Sequence, residues 1–259
     1  MRARRLIAAA SVAALAVLSL AACGRSAPSV AAYVGDRTYS VDRVNEIYED
    51  AQAQYAEAVR AQRSQLGTTA TPEELRSSVT RQDVVNLLIS VELGKRVTAE
   101  KGIQVIDEVT PEQLQLELQL PATTEYVQLW GEWADISTAL QRQLPPADLS
   151  DDAVMAVYHA IEKTGAIPTG LSVAEVRQAF GEGGFVRSAT ALSSALREEA
   201  EKAGASINPR YGRIGVPSVV STGQSLVFYS LPYISHDGPV TDISTPEPKA
   251  TESTGAVTP

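Results

Sequence analysis

The chain has 259 residues, 44% of them hydrophobic, with 22 Lys and Arg, 31 Asp and Glu, two His and one Cys. That is apolar material for one or two buried cores. A formal net charge of −9 argues against a nucleic-acid partner, which needs clustered Lys and Arg to neutralise its phosphates.

The first element read in chain order is a leader. Arg2, Arg4 and Arg5 precede an apolar run from Leu6 to Leu20, too short and too rich in alanine for a comfortable membrane span, so residues 1–22 read as a signal peptide. Leu20-Ala21-Ala22-Cys23 resembles the lipobox of bacterial lipoproteins, in which the cysteine is acylated; the alternative is a lone cysteine in an ordinary secretory signal. Cys23 is therefore the expected lipidation site, and acyl chains contribute roughly 0.8 kcal/mol per buried CH₂. Loss of the leader with its three arginines takes the charge from −9 to −12. Such a body is repelled by anionic lipid, so the anchor does the holding. The expected location is the extracytoplasmic face of the cell membrane, and with the only cysteine acylated the fold rests on its core without a disulfide.

Residues 23–30 read as a tether. Ala32 to Tyr39 places Gly35-Asp36 between two short β-prone runs, a hairpin signal. Ser40 caps a long helix with apolar residues at Val41, Val44, Ile47, Tyr48, Ala51, Tyr55, Ala58, Val59 and Leu66, the spacing of one helical face, ended by Gly67. Thr71-Pro72-Glu73-Glu74 reads as another helix start. Thr80 with Asp83 forms a partial capping box before a helix apolar around much of its circumference, which Gly102 ends; Ile103 to Ile106 reads as a brief strand or extended segment. Further helices are expected from Thr110-Pro111 to Pro121, Thr124 to Leu144, Ser150 to Lys163, Ser172 to about Phe180, and Phe185 to Ala203. Val219-Val220 and Leu226 to Ser230 suggest a small hairpin, and Asp242 to Pro259, with Pro246, Pro248 and Pro259, reads as part of a disordered tail.

Catalytic and metal chemistry find little support in this pattern. His159 and Glu162 share a helix face, yet no further His or Cys completes a transition-metal set. His236 sits beside the tail. Asp151 and Asp152 follow the Ser150 cap, where the helix dipole favours acids. Gly181-Glu182-Gly183-Gly184 lacks the Lys and Ser/Thr of a P-loop and the preceding strand of a dinucleotide fold, so it reads as a helix connection. No cofactor, no metal and no enzymatic activity are expected.

Three segments carry a resemblance. Ala31 to Val44 is similar to the start of the SurA and PrsA type of extracytoplasmic folding factors, a hairpin leading into a capped first helix. Val79 to Asp107 looks like that family's buried helix with a Leu-rich centre, an acid at Glu92 and a Gly-ended exit. Ala203-Gly204 followed by Asn208-Pro209-Arg210-Tyr211-Gly212 resembles the short strand that returns to the N-terminal hairpin. A single hairpin is marginal in water, so pairing of Ile207 to Ile214 with Tyr33 to Tyr39 would satisfy both.

The helix signals give a mainly α fold and composition a disordered tail (236–259), and the resemblance implies a discontinuous chaperone domain (31–109 and 204–235) whose small β-sheet joins the N-terminal hairpin to a C-terminal strand, with an inserted helical arm (110–203). Residues 110–203 read as helices where fuller members carry a parvulin isomerase, which implies the chaperone part without the enzyme. The expected function is a lipid-anchored holdase whose partners are unfolded or nascent extracytoplasmic proteins held in an apolar groove. Tyr126, Trp130 and Trp133 are the candidate client-binding residues, although the same three suit a packed helical core. A structural or assembly lipoprotein with one dedicated envelope partner is the alternative, and a degenerate prolyl isomerase a third reading.

Overall fold

A computed structural model describes residues 27–221 and 226–234; the expected leader, Cys23, His236 and the tail over 236–259 lie outside them. The described residues are mainly helical, with two small antiparallel sheets.

The hairpin pairs β1 (Val30–Val34) with β2 (Arg37–Ser40) through Gly35-Asp36. Gly35 has a φ of 60°, a left-handed turn conformation that a residue without Cβ adopts at no steric cost. Ser40 Oγ then accepts from the Arg43 N–H at 3.0 Å and starts α1 (Val41–Gln65), which buries Val44, Ile47 and Ala51 along one stripe.

Thr71 to Glu74 departs from expectation, because the segment makes only a turn. The Glu74 carboxylate accepts from the Thr71 N–H at 2.9 Å as a helix start would. Gln52 of α1 then takes the chain away: its side-chain oxygen accepts from the Ser77 N–H at 3.0 Å, and its amide donates to the Val79 carbonyl at 3.1 Å. A helical nucleus constrains several dihedrals for its first bond, and here those backbone groups are bonded to α1.

The central element is α2 (Arg81–Lys101). Thr80 and Asp83 cap it reciprocally, and Gly102 ends it at a φ of 62°. Of its 21 residues, 13 are buried. Close approach to α4 (Glu125–Gln143) depends on Gly94, where an added Cβ would stand 2.5 Å from Ile136 Cγ2. The buried Glu92 carboxylate clamps the hairpin onto α2. It accepts from Arg96 Nε at 2.8 Å and pairs with Arg37 Nε at 3.3 Å, while the Tyr39 hydroxyl donates to it at 3.3 Å. Arg96 also reaches Asp36 at 2.7 Å and the Val34 carbonyl at 3.2 Å. Glu92 thus has a structural task.

Residues 103–106 form no strand. The remaining helices are α3 (Pro111–Leu118), α4, α5 (Asp151–Glu162), α6 (Val173–Phe180) and α7 (Gly184–Lys202). The helices of 110–203 do not project as a separate arm: Trp133 and Leu140 of α4, Tyr158 of α5 and Leu196 of α7 lie in one core with Val34, Ile47 and Leu87.

The returning strand is shorter and earlier than expected. β3 comprises Ser206–Ile207 and pairs with Tyr33 and Ala32, extended by the Asn208 N–H donating to the Ala31 carbonyl at 2.9 Å. Asn208 Nδ2 also donates to the Val30 carbonyl at 2.8 Å. The ladder stops there because Pro209 has no N–H to offer and Asn208 turns the chain, its side-chain oxygen accepting from the Arg210 N–H at 3.1 Å. Ile214 belongs instead to β4 (Ile214–Ser221), which pairs with β5 (Leu226–Ile234) in a second sheet longer than the expected hairpin. This second hairpin packs against α2, α5 and α7.

Candidate functional groove

The sequence candidates divide on α4. Trp133 is only 1% exposed, and its Nε1 donates to the Pro217 carbonyl of β4 at 2.7 Å. It is a core residue that pins the C-terminal hairpin. Tyr126 and Trp130, one turn apart, are also largely buried but stand at the wall of a groove of about 510 Å³ between the N-terminal end of α2, the C-terminal end of α3, α4, α5 and the β4–β5 hairpin.

Aromatic rings cluster on one wall of the groove, whose aromatic and apolar side chains are matched by as many polar and charged ones. Trp130 meets Phe228 of β5 edge to face, with ring centroids 5.4 Å apart, a favoured arrangement for ring quadrupoles. The Trp130 Nε1 is buried without a bonded acceptor. It stands close enough to the Tyr126 hydroxyl to ease that phenol's ionisation, yet burial, reinforced by the charge of Asp83, holds Tyr126 protonated well above the ordinary tyrosine range. Tyr229, also in the wall, is pushed up to about 12 by burial. Asp83, Glu117 and Lys163 line the same groove. The space is within the usual range for ligand clefts.

Its remaining wall is Glu117, Leu118 and Gln119 at the end of α3. Leu114, Leu116, Leu118 and Leu120 alternate with Gln115, Glu117 and Gln119, the period of a strand, yet residues 111–118 are helical. Helical geometry sends Leu114 and Leu118 toward the core and leaves Leu116 81% exposed. The helix start at Thr110-Pro111 is legible in the sequence; the conflict between this alternation and the helix is the signal that marks the segment as special.

The other weighed residues have structural partners. His159 Nδ1 lies 2.9 Å from Glu162 Oε2, and Asp151 takes Arg177 Nε at 2.8 Å. Gly181 and Gly183 have positive φ values and connect α6 to α7, closed by Phe180 against Phe185 with centroids 4.9 Å apart. Among the described residues, no group of three or more His, Cys, Asp or Glu could hold a metal ion, and no helix is long and apolar enough to cross a membrane. Comparison with known proteins returns no match: no family model fits the chain, and no curated protein and no solved structure is similar to it at a significant level.

Proposed function

We propose that this chain is a lipid-anchored, extracytoplasmic folding factor of the SurA and PrsA type, which holds short apolar segments of unfolded or nascent proteins in the groove lined by Trp130 and Phe228. The observation that carries the reading is the groove itself, with Tyr126, Trp130, Phe228 and Tyr229 among the polar and charged side chains of its wall. It supports reversible capture of apolar side chains by an otherwise acidic, soluble body. The return of β3 to β1 lends further support, since this closure of a discontinuous domain is what the resemblance implies.

The test uses the mature chain with Cys23→Ser, which removes the expected lipid attachment. It should slow aggregation of several unrelated unfolded substrates at near-stoichiometric ratio, and failure with all of them rejects the reading. The burial of Trp133 and most of Tyr126 and Trp130 favours a second reading, a dedicated envelope partner with one fitting segment. Suppression limited to a single substrate would support it.

A further inference from the structure

We infer that α3 is a displaceable lid over the Trp130 groove, held at both ends and weakly in between, whose opening admits an apolar polypeptide segment. The inference rests on the reading of this groove as the client site. Its N-terminal anchor is Asp135 of α4, whose Oδ1 accepts from the N–H groups of Glu108 and Val109 at 3.0 Å each. Arg142 adds a two-pronged contact to the Glu108 carboxylate at 3.0 and 2.9 Å. The C-terminal anchor is Leu120, which is 1% exposed.

Between these points α3 has no buried residue. Only Leu114 and Leu118 are half-buried against the core, and Leu114 rests near Gly131, where an added Cβ would lie 3.9 Å from Leu114 Cδ1. The exit residue, Gln119, has a φ of 54°, the one positive value at a non-glycine among the described residues, a conformation that disfavours a side chain with Cβ. Eight residues also fall below the length at which a helix holds itself together in water. Unwinding is eased by the sequence: an extended 114–120 would carry all four leucines on one side, so the segment has a second conformation consistent with its pattern. Displacement removes Leu118 and Gln119 from the wall they share with Trp130.

Leu116→Pro tests the lid with little loss of packing, because that side chain points to solvent, and Leu116→Ala is its control. In the mature Cys23→Ser chain, Leu116→Pro should raise acrylamide quenching of tryptophan at least twofold through Trp130, Trp133 remaining shielded, and should tighten binding of an unfolded substrate. Leu116→Ala should change neither. Unchanged hydrogen exchange over α2 verifies the fold. A Leu114→Cys, Gly131→Cys pair bridged by a short, cleavable bifunctional thiol reagent should suppress quenching and binding, with recovery on cleavage. If Leu116→Pro leaves quenching unchanged, the lid is refuted even where substrates bind. If quenching rises and unfolded substrates bind none of the variants, the lid stands and the folding-factor reading fails.

Discussion

Helices α2 and α3 share one capping bond and have opposite fates. Each follows a threonine whose N–H is taken by the side chain three residues later, at 2.9 Å in both: Asp83 for Thr80 and Gln113 for Thr110. Yet α2 buries 13 of its residues and α3 none. Caps determine where a helix starts, whereas burial of its faces determines how firmly it persists. One element organises the core, and the other is a strap across a groove.

The widest separation is expected from leucine truncation. Leu87→Ala in α2, at a site with no exposure, should lower unfolding free energy by about 2–5 kcal/mol. Leu116→Ala in α3 should change it by no more than about 0.5 kcal/mol. Chemical denaturation of both variants measures the contrast, and similar losses would erase the distinction between core helix and strap.

Cap removal gives a smaller, more diagnostic difference. Thr80→Ala should reduce global stability by about 1 kcal/mol. Gln113→Ala, which removes the side-chain oxygen that takes the Thr110 N–H, should leave the denaturation midpoint in place and accelerate hydrogen exchange only around residues 110–118, because local opening of α3 does not require global unfolding. Equal global losses would mean that α3 unfolds only with the core.

The smallest effect concerns pH. The Arg142 guanidinium, by its hydrogen bonds and then its charge, holds the Glu108 carboxyl below the usual carboxylate range. A carboxyl whose folded value is depressed stabilises the folded state above its unfolded value, near about 4.3 for glutamate, and loses that contribution as pH falls through the folded value. Acidification below that range should therefore loosen the 108–118 segment before α2. Arg142→Gln should weaken this acid response in hydrogen exchange, while persistence of the full response would assign it to another group.

Much of the helical layout is legible in residues that act locally. Ser40, Thr80, Ser150 and Ser172 mark starts because their side chains bond backbone groups three residues away, and Gly102 marks an end because its left-handed conformation suits a residue without Cβ. Thr71 to Glu74 carries the same kind of signal and fails as a helix, since Gln52, distant in sequence, takes the following backbone. Tyr126, Trp130 and Trp133 share a helical stripe in sequence. Which of them reaches a groove and which a carbonyl depends on β4 and β5, about a hundred residues downstream.

Most helix starts and the mainly α character were legible in local sequence, because capping bonds and apolar periodicity span only a few residues. Tertiary structure alone decided the length of the returning strand, where the missing N–H of Pro209 and the turn at Asn208 end the ladder. It also decided that Trp133 packs while Trp130 lines a groove, and that α3 is a helix despite its alternating leucines. Those outcomes follow from which surfaces meet when distant segments pack, and no local pattern encodes that meeting.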